Sequence, residues 1–438
     1  MTDVQIEIPA NGTENPVEAK EEVKAVNDGG SDSNADQSAD KTKGKPAQVK
    51  KAKYDGRCKK RKWVFDRRDD NVKREKTNPE DRVKRRKYLM VLGYAGANYI
   101  GMQRNPDVNT IEEELLKAML KNKLITEEAF QQPQYTHFQR AARTDKGVSA
   151  ARQCISLKLP EKIELESLNK DLPSDIKVFG YKRVTKGFNC KDQCNARTYS
   201  YILPSVSFAS YDQEVDMKAY RLDDSILTRV NETLKLFEGT KNFHNFTSRK
   251  KYEDPSAIRF IITFACGPPF MVDDVEFCTI TVKGQSFMMH QIRKMIGLTL
   301  AVVRGITNVD TITKSFEKTR LDIPMAPGLG LVLDQVHYDG YNARFKDDGM
   351  HEQLEWDEIE PTIQEFRDNF IYPVIKDTEL KEQPMIQWLK TLPLHSYDER
   401  PAQFARNNNA NQADGGDNDE TAETNESVVD DENGGDDD

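Results

Sequence analysis

Charge is distributed unevenly along these 438 residues, and this confines a folded core to the middle of the chain. Residues 1–40 hold ten acidic and two basic side chains, residues 41–87 hold 21 basic and seven acidic ones, and residues 406–438 hold twelve acidic side chains and one arginine. Residues 1–53 and 406–438 contain too few apolar side chains to offset the entropy lost on folding, so we expect both tails to be disordered. The net charge of −9 therefore reflects the tails and does not argue against a polyanionic partner.

Residues 54–87 are predicted to form a basic arm between the first tail and the folded part. Within 45–62, the strings KPAQVKKAK and CKKRK form two basic clusters, an arrangement that is typical of a bipartite nuclear-import signal. A basic arm lying along RNA phosphates is a second interpretation, and KRRK at 84–87 is expected to line a groove. We therefore predict nuclear localisation, with an additional mitochondrial or cytoplasmic pool left open.

Cysteine usage and the length of apolar runs exclude several classes of protein. Six cysteines, of which only Cys190 and Cys194 lie close together, make neither a disulfide framework nor a zinc-ligand pattern, so reduced thiols in an intracellular compartment are the simpler interpretation. No run in the sequence approaches the roughly 18 apolar residues of a membrane span, and the acidic N-terminus is neither a signal peptide nor a transit peptide. The sequence also lacks a GK[ST] phosphate loop and a complete dinucleotide fingerprint. We expect no cofactor, no metal and no membrane partner.

Hydrophobic periodicity predicts mixed strands and helices between residues 88 and 345. The predicted strands include 88–94, 154–159 and a final one within 326–338, and the predicted helices are 109–123, 222–239 and 287–305. The first helix begins with acidic residues, as the helix dipole prefers, and the second begins with aspartates and stops at a glycine.

These elements occur in two similar sets, one before and one after about residue 187. The economical architecture is therefore an α+β fold with two lobes around a cleft. The predicted domains are an N-terminal lobe at 88–187, a C-terminal lobe at 188–345 and a helical extension at 346–405 packed on the core.

The stretch AARTDKGVSAA, residues 141–151, places two cations, a hydroxyl, a carboxylate and a glycine side by side. These residues are Arg143, Thr144, Asp145, Lys146 and Gly147. The flanking cations favour the ionised carboxylate, which is then either a nucleophile or a charge partner. The glycine lets the backbone turn with positive φ. The alternative is a surface turn in which the aspartate hydrogen-bonds its own backbone.

Three further side chains are candidates for chemistry or binding. Arg293 lies near the start of the apolar helix 287–305 and needs an acid or a cleft, because a buried unpaired charge is costly; the alternative is that it snorkels. Tyr199 alternates with Tyr201, so we expect one of the two to face inward, and a core tyrosine is the alternative to a functional one. His244 lies in an aromatic cluster that either stacks on bases or fills a lobe.

Taken together, the blocks that carry these residues resemble one family. AARTDKGVSA, ARTYSY, GQSFMMHQIRKMIG and APGLGLVLDQVHY resemble the signature blocks of the TruA-like tRNA pseudouridine synthases, and YAGANYIGMQRN and GTKNFHNFTS resemble two more. The resemblance covers roughly residues 88–345. KGVSAA, NFHNFTS and the segment from IYPVI to WLKTLPLHSY are similar to the eukaryotic branch. Ser149 and Met102 depart from the bacterial pattern, which bears on target choice rather than on the reaction.

The resemblance implies a pseudouridine synthase fold, in which two related α+β lobes join their antiparallel sheets across a basic cleft. It implies isomerisation of uridine to pseudouridine without a cofactor. The expected substrate is tRNA, chiefly near the anticodon stem-loop, with messenger and small nuclear RNA as further candidates. By the same resemblance, Asp145 is the nucleophile, Tyr199 stacks on the target base, Arg293 pairs with the aspartate, and Arg143 fills the space left by the flipped uridine.

The remaining contacts with RNA are expected from the same blocks. The predicted RNA-binding residues are Arg143, Lys146, Gln103, Arg104, His244 and Leu331. Leu331 and Leu333 also suit the apolar wall that a detached uracil requires. The alternative function is a catalytically silent RNA-binding scaffold of the same fold, and the presence of Asp145, Tyr199 and Arg293 argues against it. We expect a monomer.

Overall fold

The computed structural model describes residues 84–248 and 250–399. The two predicted disordered tails, the two clusters of the import signal and the basic arm up to residue 83 lie outside these residues. The described part of the chain contains ten strands and ten α-helices, connected by loops and short 3₁₀ turns.

The strands are β1 Arg85–Tyr94, β2 Gln139–Arg140, β3 Ser149–Pro160, β4 Ile176–Arg183, β5 Ala196–Pro204, β6 Gly239–Asn242, β7 Ile258–Cys266, β8 Phe270–Val272, β9 Val275–Gly284 and β10 Leu331–His337. The helices are α1 Ile111–Lys121, α2 Glu127–Gln131, α3 Leu165–Lys170, α4 Asp224–Lys235, α5 Gln291–Val303, α6 Asp310–Lys314, α7 Asp339–Phe345, α8 Glu360–Phe366, α9 Tyr372–Glu382 and α10 Pro384–Leu389. The mixture of α and β elements predicted from periodicity is confirmed.

The strands form a single large sheet in the order β4-β1-β3-β10-β5-β9-β7-β6, with β2 paired to β3 and β8 paired to β9. Among the described strand pairs, all are antiparallel except β3 with β10, which run parallel where Val332 faces Ser149 and Leu333 faces Ala150. The sheet is therefore mixed rather than purely antiparallel. The parallel pair joins the group β4-β1-β3 to the remaining strands, and β3 begins immediately after the Asp145 loop.

Tyr199 and Tyr201 of β5 are both buried, at 7% and 1% exposure. The expectation that one of the two faces inward and the other does not is wrong. Residues two apart on a strand point to the same face of a sheet, so the alternation in RTYSY places both rings on the inner side. Their neighbours on β10 are Leu333 and Leu331, respectively.

Two helices are shorter than the periodicity predicts. The helix α5 begins at Gln291 rather than at residue 287, because His290 has a left-handed backbone with φ 65 that is incompatible with an α-helical turn. The helix α4 ends at Lys235 rather than at residue 239, and Gly239 begins β6 instead of ending the helix. By contrast, α1 is close to its prediction, with the Thr110 side chain capping its first turn.

The C-terminal helices α8–α10 pack on the rest of the described fold. The ring of Phe366 lies edge-on to Phe179 of β4 with centroids 5.6 Å apart, and Arg367 donates to the carboxylate of Asp334 in β10 at 2.7 Å. No helix within 84–248 or 250–399 is long and apolar enough to cross a membrane. The same residues contain no cluster of three or more side chains suited to hold a metal ion.

Glu379 of α9 is a buried carboxyl, with 5% exposure, near the start of the next helix. Its two oxygens accept from the backbone N–H of Met385 at 3.0 and 3.2 Å. Burial raises the pKa of Glu379 to about 7, and the backbone N–H donors oppose this rise. A group whose pKa is raised on folding stabilises the native state at low pH and loses that contribution as the pH rises through the folded pKa.

We expect Glu379→Gln to remove this pH dependence, because the amide cannot ionise. Between pH 5 and pH 8, the free energy of unfolding of wild type should fall by about 1–3 kcal/mol relative to that of the variant. Urea denaturation at both pH values measures the difference, with the exposed Glu382→Gln in the same helix as the matched control. If the difference in free energy of unfolding between wild type and variant stays constant with pH, the raised pKa of Glu379 is contradicted.

Candidate active site

Asp145 lies in the loop between β2 and β3, which we call the Asp145 loop (residues 141–148). The loop turns where the N–H of Val148 donates to the Asp145 carbonyl at 3.2 Å, and Gly147 has the expected positive φ of 76. The turn therefore uses the backbone carbonyl of the aspartate rather than its carboxylate. The carboxylate is partly exposed and points toward the start of α5.

Hydrogen bonds from the core hold the backbone of the Asp145 loop. The Thr144 carbonyl accepts from the N–H of Met102 at 3.1 Å, and the N–H of Gly147 donates to the Tyr99 carbonyl at 3.2 Å. The Thr144 hydroxyl is 2.7 Å from the buried hydroxyl of Tyr94. Because Asp145 is flanked on both sides by anchored residues, the position of its carboxylate is largely set before any ligand binds.

The buried side chain of Gln153 in β3 completes this anchoring. Its Oε1 accepts from the N–H of Ala142 at 3.2 Å, and its Nε2 donates to the carbonyl of the same residue at 3.0 Å. Nε2 also lies 3.3 Å from the Tyr94 hydroxyl. Gln153 and Tyr94 thus form one buried polar network with the loop, in which each member has a partner.

The His290 side chain lies at ion-pairing distance from Asp145, with Nε2 3.8 Å from Oδ2. Sequence reasoning missed it, although it stands in the block GQSFMMHQIRKMIG and precedes α5. Its left-handed backbone is uncommon for a residue other than glycine, and such conformations concentrate at functional sites. A basic residue next to the start of an apolar helix was the available signal.

Arg293 lies one turn further along α5 and approaches the same loop from the other side of Gly328. Its Nε donates to the Ala326 carbonyl at 2.6 Å. A Cβ added at Gly328 would lie 3.1 Å from the Lys146 carbonyl oxygen and 3.7 Å from the guanidinium carbon of Arg293, so a larger residue would crowd the Lys146 carbonyl. Arg293 is not at ion-pairing distance from Asp145. The pairing implied by the resemblance is therefore absent from this structure, in which Nε is committed to Ala326.

Tyr199 lies in the interior beside the Asp145 loop. Its ring packs edge-on against Phe287, with centroids 5.3 Å apart. Burial raises the pKa of Tyr199 well above its usual value; Arg197 opposes this rise, and the negative charge of Asp145 adds to it. The phenol is therefore neutral at physiological pH and electrostatically coupled to the carboxylate. Tyr201 instead donates its hydroxyl to the Pro327 carbonyl at 2.8 Å, which gives it a structural role.

The predicted RNA-binding residues divide into two groups by exposure. Arg143 and Lys146 are exposed on either side of Asp145, and Gln103 is exposed in the turn that carries the Met102 anchor. His244 and Leu331 are buried, at 2% and 6% exposure. His244 packs edge-on against Tyr252 at 5.3 Å, so it fills the interior and offers no surface for stacking on a base. Leu331 packs within the sheet beside Tyr201, and little of its side chain is exposed.

Arg104 is also engaged within the protein. Its guanidinium forms an ion pair with Glu113 of α1, and both side chains are less than a fifth exposed. One nitrogen donates to the Phe130 carbonyl at 2.5 Å, and the guanidinium carbon lies 4.4 Å from the centroid of that residue's ring. Arg104 therefore fastens α1 and α2 to the turn around Gln103.

Comparisons with known proteins identify relatives of this chain. A family model described as tRNA pseudouridine synthase matches residues 234–339. The Pseudouridylate synthase 1 homolog of Mus musculus is 45% identical over 344 residues, which cover 76% of this chain and 81% of that protein. The chain belongs to the tRNA pseudouridine synthase family.

Further members of the tRNA pseudouridine synthase family are similar over comparable lengths. The Pseudouridylate synthase 1 homolog of Homo sapiens is 48% identical over 314 residues, covering 70% of this chain and 73% of that protein. tRNA pseudouridine synthase 1 of Yarrowia lipolytica is 32% identical over 418 residues, covering 75% and 79%. The resemblance to the eukaryotic branch of the family, of the pseudouridylate synthase 1 type, is thereby confirmed.

The structural role of Arg104 can be tested by stability measurements, with the exposed Lys146 as the comparison. We expect Arg104→Ala to lower the free energy of unfolding by about 1–3 kcal/mol, because it leaves the Glu113 carboxylate without its partner in a partly buried position. Lys146→Ala, at an exposed position of the same region, should change it by no more than about 0.5 kcal/mol. Urea denaturation of both variants provides the comparison. Small and equal effects would mean that Arg104 is not a structural residue.

Proposed function

We propose that this protein is a tRNA pseudouridine synthase in which Asp145 is the catalytic carboxylate. The observation that carries the proposal is the position of a preorganised, partly exposed aspartate next to a buried tyrosine, in a chain that belongs to this family. Relatives named tRNA pseudouridine synthase 1 support tRNA as the substrate. The reaction is an isomerisation of specific uridines to pseudouridine and consumes no second substrate.

The chemistry requires one bond to break and another to form between the same two rings. The glycosidic bond from C1′ to N1 breaks, the uracil turns within the site, and C5 bonds to C1′ while its proton is lost and N1 gains one. An ionised carboxylate at Asp145 attacks or stabilises the electron-deficient centre that arises when the glycosidic bond breaks. Arg293, on the α5 side, contributes positive charge near this carboxylate, and His290 lies at ion-pairing distance from it.

Tyr199 is assigned the second catalytic position. Its neutral phenol and the apolar ring of Phe287 give the detached uracil a dry aromatic surface, so that it turns without escaping to solvent. The phenolic oxygen is also the candidate group for proton transfer at C5. In this proposal Arg293 is the third catalytic residue, and it supports the electrostatic environment of Asp145 from the far side of Gly328.

RNA binding is assigned to the exposed polar residues around the Asp145 loop. Arg143 and Lys146 flank the carboxylate, and Gln103 lies in the adjoining turn. Extruding a base from a stem costs a few kcal/mol, which phosphate contacts and a side chain from Arg143 inserted in place of the uridine would offset. The two antiparallel halves of the sheet, which meet at β3 and β10, support two related lobes with a basic cleft at their junction.

We extend the proposal to substrate range and location. The described site offers arginine, lysine and amide side chains and no repeated base-reading unit, which favours recognition of stem-loop shape over sequence. Structurally similar uridines near the anticodon, and stem-loops in messenger and small nuclear RNA, are then substrates of one enzyme. The two basic clusters within residues 45–62 support a nuclear location, and the protein acts as a monomer.

We expect Asp145→Asn to abolish pseudouridine formation while leaving RNA affinity within several-fold, because the amide keeps the shape and loses the nucleophilic charge. Purified variant and wild type are incubated with unmodified tRNA, pseudouridine is mapped, and the dissociation constant is measured in parallel. Asp212→Asn, at an exposed position, is the matched control and should retain full activity. A rate close to wild type for the Asp145 variant would remove its catalytic assignment.

The basic segment is tested in the full-length chain by replacing its five lysines and arginines between residues 57 and 62 with glutamine. The slope of log affinity against log salt should fall by just under one for every RNA phosphate that the variant no longer neutralises. The control replaces Lys117, Lys121 and Lys162, whose charges are already paired with carboxylates. An unchanged salt slope would remove the RNA-binding role, and unchanged nuclear accumulation of the variant would remove the import role.

A further inference from the structure

Arg197 is a buried arginine at the second position of β5, two residues before Tyr199, and it is only 8% exposed. It stands in the block ARTYSY, where the sequence alone indicates no role for it. Its guanidinium donates two hydrogen bonds to one acceptor, the Ala141 carbonyl, from Nε at 3.1 Å and from Nη2 at 2.7 Å. Nη1 donates to the Gln285 carbonyl at 3.1 Å, and Nη2 also reaches the Lys191 carbonyl at 3.5 Å.

Backbone carbonyls, rather than a carboxylate, satisfy this cation. Within residues 84–248 and 250–399, no aspartate or glutamate is at ion-pairing distance from Arg197, and its bonding partners belong to three separate segments of the chain. A buried arginine without a carboxylate costs more than an apolar side chain of similar volume at the same strand position. What distinguishes Arg197 from another buried arginine bound by carbonyls is which segments of the chain its acceptors belong to.

The acceptors connect both halves of the candidate site to β5. Ala141 is the first residue of the Asp145 loop and lies four positions before the carboxylate. Gln285 lies two positions before Phe287, whose ring packs on Tyr199. The planar guanidinium of Arg197 thus fixes the start of the Asp145 loop. It also fixes the start of the segment that carries Phe287, which packs on Tyr199. A displacement of either segment changes the separation of Asp145 and Tyr199.

We propose that Arg197 is a positioning residue, which sets the distance between Asp145 and Tyr199 by binding Ala141 and Gln285 with one guanidinium. The inference rests on the proposed function. Arg197 touches neither the substrate nor the reacting atoms in this assignment and acts through the two segments that it joins. Its substitution is expected to slow the chemical step, because a small misplacement of a catalytic group costs about 100-fold in rate.

The first experiment compares Arg197→Ala with wild type at saturating enzyme, following release of tritium from 5-tritiated uridine in a tRNA transcript. We expect the single-turnover rate to fall about 100-fold, with the dissociation constant for the same RNA within about threefold. Millimolar guanidinium ion should restore part of the rate to the Ala variant, while equal concentrations of sodium ion should not. Arg197→Lys keeps the positive charge but lacks the planar guanidinium, so its single-turnover rate should remain low.

Arg304→Ala is the control, because Arg304 is half-buried and, like Arg197, donates to backbone carbonyls, those of Val206 and Ser207. It should lose stability without losing the single-turnover rate. If Arg197→Ala does not fold, Arg197→Lys carries the test instead. A folded Arg197 variant with a rate near wild type would overturn the proposal. An equal loss of rate in Arg304→Ala, or a failure of guanidinium to rescue, would also overturn it.

Amide hydrogen exchange separates this inference from the proposed function, because it requires no activity. Amides of the Asp145 loop should exchange faster in Arg197→Ala than in wild type, and should be unchanged in Arg304→Ala. A wild-type protein that forms no pseudouridine in tRNA would contradict the proposed function alone. Unchanged exchange of the loop in Arg197→Ala would contradict the positioning role, whatever the outcome of the activity assay.

Discussion

The backbone hydrogen bonds of the Asp145 loop are the constraint on which the rest of the site depends. A carboxylate on an exposed turn ordinarily samples many positions, and ordering it on binding would cost free energy at each turnover. Here Met102, Tyr99 and Tyr94 hold residues on both sides of Asp145 before any ligand arrives. These three residues come from β1 and the turn that follows it, so the fold of the first half of the sheet determines where the carboxylate lies.

The electrostatics of the site follow from the same placement. His290 faces Asp145 from the start of α5, and Arg293 of the same helix lies behind Gly328, so both basic side chains approach the Asp145 loop from one side. Tyr199 lies below it in the sheet, where burial keeps the phenol neutral. Ionised and neutral groups are thus separated by exposure, with the carboxylate at the surface and the proton-carrying group inside, an arrangement that acid–base chemistry at one centre requires.

The sequence predicted the reaction better than it predicted the contacts between residues. Particular residues illustrate the physical reasons. Asp145 could be found because its neighbours in the chain are also its neighbours in space. The role of Arg104 could not, because its partners Glu113 and Phe130 become close only through the packing of α1 and α2. His290 was missed because its importance rests on a left-handed backbone that no periodicity encodes. The parallel pairing of β3 with β10 is equally non-local, since about 180 residues separate the paired positions.

Sterics at two glycines explain why separate sequence blocks belong to one site. A Cβ added at Gly96 would lie 2.1 Å from the Val148 carbonyl oxygen, a distance that no side chain can occupy. Gly328, which lies in the second half of the chain, packs against the Lys146 carbonyl. Each of the blocks YAGANYIGMQRN and APGLGLVLDQVHY therefore packs a glycine against the Asp145 loop. One block comes from each half of the sheet. Because the contact at Gly96 involves only backbone atoms, any substitution there must displace the loop itself, and a Cβ at Gly328 would crowd the Lys146 carbonyl next to Asp145.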